Sequence, residues 1–115
     1  MDGGAARVDL FYNTYANFSD RIHTAIRQET YGQDIGQNSW VTVDEYDRYI
    51  EGLKLDTGSR VLEVASGSGG PALHLALRTG CSVTGIDANS NGVAAAMKAA
   101  SRAGLTARVS FQVAD

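Results

Sequence analysis

From residue 60 onward the apolar positions change period in a regular way. Val61, Leu62 and Val64 form a short apolar run that predicts a strand, and the run ends in Ala65-Ser66-Gly67-Ser68-Gly69-Gly70. Pro71 suits the first position of a helix, because its fixed φ and missing N–H cost nothing there. Leu73, Ala76 and Leu77 follow at helical spacing until Gly80 stops them. Cys81 to Ile86 is a second β-rich run that delivers Asp87 at its C-terminal end. Asn89 or Ser90 is placed to cap a helix carrying Val93, Ala96, Met97 and Ala100 in one stripe, ended by Gly104. Val109, Phe111 and Val113 then alternate with Ser110 and Gln112 as a third strand with one exposed face. Strand and helix in strict alternation predict an α/β unit with a mostly parallel sheet.

The pattern before residue 56 is helical. From Val8 to Ile26 the positions Val8, Phe11, Tyr12, Tyr15, Phe18, Ile22, Ala25 and Ile26 fall at helical spacing, predicting one helix or two short ones packed by their rings. Tyr31 to Trp40 is polar and punctuated by glycine, which reads as a loop. Thr42-Val43-Asp44-Glu45 has the form of a capping box and starts a helix with Val43, Tyr46, Ile50 and Leu53 on one face. Asp56 to Ser59 turns the chain into the first strand. The expected organisation is a helical cap region over 1–55 and the strand–helix repeat over 56–115, without linker or internal repeat.

The glycine turn is where chemistry enters. Gly67 and Gly69 have no Cβ, so the chain turns sharply and its backbone can approach a ligand. The helix behind the turn directs unpaired N–H groups and a positive dipole end into the same space. Asp87 follows Gly67 at the offset from which an acid accepts hydrogen bonds from ribose hydroxyls. These features predict an adenosine-containing ligand, against the alternative of a structural turn with an incidental acid. Gly67-x-Gly69-x-x-Ala72 formally satisfies the dinucleotide fingerprint, so an NAD-dependent oxidoreductase is one reading. Glu63 argues against it, because it would set a carboxylate against a pyrophosphate; an ammonium or sulfonium suits it better.

Glu63-Val-Ala-Ser-Gly67-Ser-Gly69 resembles the first motif, acid-x-Gly-x-Gly-x-Gly, of the class I S-adenosylmethionine-dependent methyltransferases, with Ala65 in place of the first glycine. Tyr12-Asn-Thr-Tyr-Ala16-Asn-Phe-Ser-Asp20 is similar to the Tyr-Asp-x-x-Ala-x-x-Tyr-Asp segment ahead of that motif in small-molecule methyltransferases, with Ser19 at the second tyrosine. Tyr31 to Trp40 is similar to the Trp-Gly-Gly-Glu-Asp-Ile-His stretch of enzymes acting on glycine derivatives and phosphoethanolamine. The resemblance implies the N-terminal half of the Rossmann-like class I methyltransferase fold, strands one to three of a seven-stranded sheet ordered 3-2-1-4-5-7-6. It implies S-adenosyl-L-methionine as cofactor, with Tyr12, Ala65 and Glu63 near its methionine end and Gly67 and Gly69 giving backbone access. It also implies Asp87 on the ribose, Ala88 and Ala114 at the adenine, and Asp115 reading the adenine amino group. Gln37, Ser39 and Trp40 become cofactor or substrate contacts in a covering loop, the alternative being a surface loop pinned by Trp40. The implied activity is methyl transfer to a small-molecule acceptor, with a non-catalytic cofactor-binding or assembly fragment as a further reading.

Composition narrows the partners. The chain has 115 residues, net charge −3 and ten basic against thirteen acidic residues, so there is no basic stripe for nucleic acid and no polybasic membrane patch. The N-terminus lacks a charged leader followed by an apolar segment, and with a lone cysteine the chain reads as cytoplasmic. Cys81 is expected to serve as a small hydrophobe. His23 and His74 read as ordinary helix residues, so no general base is assigned, and no metal ligands are. The sheet would be completed by a missing C-terminal half or by a homodimer.

Overall fold

The computed structural model describes residues 20–36 and 41–115. Helix α1 is Arg21–Tyr31. It starts where the Asp20 carboxylate accepts the His23 N–H at 2.8 Å and ends where left-handed Gly32 returns its N–H to the Gln28 carbonyl. The expected helix over 8–26 is thereby corrected at its C-terminal end, because the periodicity shows neither cap; residues 8–19 lie outside the described residues. Helix α2, Val43–Leu53, has the predicted capping box: the Glu45 N–H donates to Thr42 Oγ1 and the Thr42 N–H donates to Glu45 Oε2.

The alternating half follows as β1 (Arg60–Val64), α3 (Gly70–Thr79), β2 (Ser82–Asp87), α4 (Ser90–Arg102) and β3 (Val109–Val113). The strands form one parallel sheet in the order β1-β2-β3. Its register sets Val61, Val83 and Val109 side by side, and then Glu63, Gly85 and Phe111. Side chains at these odd positions point to one face, and α3 and α4 lie on it. Ala72, Leu75, Ala76, Val83, Val93, Ala96, Ala100, Val109 and Phe111 make the core there. The alanines let the helices approach closely, and Cys81 is fully buried among them as a small apolar group.

Helix α2 is fastened to α3 by polar contacts. His74 Nε2 lies 2.6 Å from Asp47 Oδ1, and Tyr46 Oη donates to the Pro71 carbonyl at 3.4 Å. Several apolar positions that the periodicity assigned to buried stripes are exposed instead: Ile22 and Ile26 on α1, Leu53 on α2, Leu77 on α3 and Met97 on α4. In α4 the buried stripe is centred on Ala96 and Ala100, and Met97 is turned out of it by roughly 100°. The even face of the sheet carries no helix from the described residues. Leu62 and Val64 are exposed on β1, which like β3 is an edge strand of the sheet.

Candidate cofactor site

The site forms at the carboxyl ends of the three strands. After Val64 the Ser66 N–H still donates to the Ile86 carbonyl, which carries the β1–β2 ladder one step into the turn. Ala65 is left-handed, with φ 59. An L-residue with a Cβ is strained there by roughly 1–2 kcal/mol, which gives a backbone reason for glycine at this position of the motif. Gly67 and Gly69 are left-handed as well, at φ 55 and 84, and Gly69 caps α3. The helix therefore starts at Gly70, with Pro71 one position later than expected. The glycines fold the turn so that the Gly67 N–H donates to Asp87 Oδ2 at 2.8 Å. Asp87 Oδ1 accepts the Asn89 N–H at the same distance, and the Asp87 carbonyl accepts the Ala114 N–H at 3.0 Å. Asp87 thus joins Gly67, to which its spacing pointed, and Ala114, which only the family resemblance had brought in. Ala88 and Asp115 are exposed at the rim.

Glu63 lies on the helix-covered face of β1, one residue before the strand ends. Burial pushes its carboxyl up to about 7, and Oε2 is buried without a hydrogen-bond partner. Tyr46 stands near enough to feel this charge. Burial first, then Glu63 and Cys81, push its phenol up to about 12. An uncompensated carboxylate at this depth is costly, and a cation or hydrogen-bond donor brought to it is correspondingly favoured. The Ser66 hydroxyl is also buried without a partner.

The loop after α1 docks on the outside of the turn. Ser68 Oγ donates to the Gly36 carbonyl at 3.2 Å, and a Cβ on Gly70 would collide with the backbone of Ile35 and Gly36. The loop is held by a half-buried ion pair in which Arg27 Nε and Nη2 reach the two Asp34 oxygens at 2.7 and 3.2 Å. Asp34 Oδ1 also accepts the Gly36 N–H. Burial works to raise the Asp34 carboxyl; the Arg27 hydrogen bond, the Gly36 N–H and the Arg27 charge outweigh it and hold it low. Tyr12, Gln37, Ser39 and Trp40, which the sequence placed near the cofactor, lie outside the described residues. Sequence reasoning missed Tyr46, Ser68 and Phe111 as members of this assembly. Gly85 was the available signal for the last, since a glycine in mid-strand marks a close approach.

Residues 61–115 match the family model of a methyltransferase domain. A curated relative, the methyltransferase GfsG of Streptomyces halstedii, is 38% identical over 69 residues, covering 60% of this chain and 25% of its own length. A Geobacter sulfurreducens S-adenosylmethionine-dependent methyltransferase, solved with S-adenosyl-L-homocysteine, superposes with TM-score 0.64 at 28% identity, over 90% of this chain and 36% of its own. Over residues 61–115 in sequence, and in fold, the chain is similar to S-adenosylmethionine-dependent methyltransferases. Another structure with this fold, the [4+2]-cyclase SpnF, is 33% identical over 75% of this chain, with TM-score 0.55 and 32% of its own length covered. The chain spans about a quarter of the curated relative and about a third of these solved proteins.

Proposed function

We propose that this chain supplies the cofactor-binding part of an enzyme that transfers a methyl group from S-adenosyl-L-methionine to a small-molecule acceptor. The observation that carries the reading is the Asp87–Gly67 bond closing a glycine turn above a buried, unpartnered Glu63 oxygen. A ribose, an adenine and an ammonium-bearing methionine end fit this donor and acceptor set. Asp87 retains free lone pairs for the ribose hydroxyls, the rim at Ala88, Ala114 and Asp115 takes the adenine, and Glu63 takes the ammonium directly or through water. The sulfonium supplies an activated methyl group; the chain's residues hold and orient the cofactor and exclude water on one side. Tyr12, Gln37 and Trp40 join the site in this reading, and Ala65 brings its methyl close to the methionine end.

The reading extends to organisation and partners. Residues 1–55 act as the helical cap region and 56–115 as the first half of the cofactor domain, completed at the β1 edge by a C-terminal half or a second copy. The acceptor is a small molecule rather than nucleic acid or lipid surface, in keeping with the balanced charge. Among the described residues no helix is long and apolar enough to cross a membrane, and a cytoplasmic site of action agrees with the lone buried Cys81. Calorimetric titration tests the reading with S-adenosylhomocysteine and with NAD. The expected result is binding of the former alone, weakened about 100-fold by Asp87→Ala through loss of its charge-assisted bonds. Binding of NAD alone sinks it.

A further inference from the structure

The ring of Phe111 occupies an unusual place. Phe111 is on β3, opposite Gly85 of β2, and is 6% exposed. A Cβ added to Gly85 would lie 2.6 Å from Phe111 Cδ1 and 2.8 Å from Cε1; one added to Gly69 would lie 2.8 Å from Cζ and 3.1 Å from Cε1. The ring therefore reaches from the second strand to the underside of the glycine turn, filling space that two missing side chains leave open. Ala96 closes the other flank, its Cβ 2.7 Å from where a Gly69 side chain would begin. Gly69 is the left-handed residue that ends the turn and caps α3, two residues past the N–H that Asp87 receives.

The geometry points to Phe111 as a positioning residue for cofactor binding: its ring length sets the height of Gly69 and hence the alignment of the Gly67 N–H with Asp87. This inference rests on the reading of the turn as the cofactor site. Packed side chains do not compress, so a shorter side chain at 111 leaves the turn unsupported from below. A longer one has nowhere to go, since an oxygen on Cζ would be driven into Gly69. Two residues away on the same face, Val109 is equally buried, at 3% exposed, and is the natural control for loss of core volume without loss of support under the turn.

Amide hydrogen exchange and S-adenosylhomocysteine titration on the whole chain test this with Phe111→Leu, Phe111→Tyr and Val109→Ala. Protection at the Gly67 amide is read against that at Val83, whose N–H is bonded to the Arg108 carbonyl in the sheet centre. Phe111→Leu is expected to lower Gly67 protection relative to Val83 by about tenfold, while Val109→Ala lowers both together. Phe111→Tyr, which keeps an aromatic ring in the core, is expected to shift the Gly67 resonance and weaken S-adenosylhomocysteine by about tenfold. If Gly67 and Val83 lose protection in parallel in Phe111→Leu, or the tyrosine variant keeps the wild-type Gly67 resonance, Phe111 is an ordinary core residue. Should Phe111→Leu fail to fold, the tyrosine variant alone decides. Wild-type chain that binds no S-adenosylhomocysteine counts against the proposed function, whereas the exchange ratios still decide the role of Phe111.

Discussion

Replacing Glu63 with glutamine separates stability from function at this site. The Glu63 carboxyl goes from 4.5 as its ordinary value to about 7 in the fold, because burial disfavours its charge and nothing pairs with Oε2. The folded state therefore holds a proton that the unfolded state releases. Stability from this group is fully present below the unfolded value and is lost as pH rises through the folded one. A shift of this size corresponds to about 3 kcal/mol as an upper bound, which solvent reaching the exposed part of the side chain reduces. In denaturant unfolding, Glu63→Gln is expected to match the wild type within a constant offset near pH 4.5 and to gain by up to about 3 kcal/mol towards pH 8. The offset comes from the buried amide and does not depend on pH, so the slope carries the result. The same variant is expected to bind S-adenosylhomocysteine more weakly at pH 8, and wild-type binding below about pH 7 should release a proton measurable by calorimetry in two buffers. Parallel stability curves for the two proteins across this range would refute the claim that Glu63 is buried without compensation.

Other outcomes follow from backbone and charge. Ala65→Gly removes left-handed strain but loosens the unfolded chain, and should raise stability by about 0.5–1 kcal/mol in thermal unfolding. Gly70→Ala drives a methyl group into the Ile35–Gly36 backbone and should cost about 1–3 kcal/mol, measured by denaturant titration. Arg27→Met strands the Asp34 carboxylate in its half-buried position and should cost about 3 kcal/mol, recovered in large part by adding Asp34→Asn.

The part of the fold that was legible is the part whose signals are local. Period changes at residues 60–113, a capping box at Thr42 and glycines at 67 and 69 each act within a few residues, and the structure follows them. The ends of α1 were not, since they depend on Asp20 and Gly32, which carry no hydrophobic period. Ile22, Leu53, Leu77 and Met97 were read as buried because periodicity reports an apolar position without reporting whether anything lies against it. At the site, Asp87 and the glycines were legible from their spacing. Phe111 reaches the turn from across the sheet, signalled only by Gly85, and Tyr46 bonds the Pro71 carbonyl of α3 from another helix, where no sequence interval encodes the contact. Glu63 was singled out by its charge, but only the packing shows that one of its oxygens has no partner.

Asp87 has a consequence for entropy. Each of its oxygens already accepts one backbone N–H at 2.8 Å, so the carboxylate is locked in one rotamer before any ligand arrives. Freezing a side chain on binding typically costs about 0.5–1.5 kcal/mol, and here folding has met that cost in advance. A vicinal diol meeting Asp87 finds both oxygens oriented, so even a fragment as small as adenosine should keep a large share of the ribose contribution to affinity.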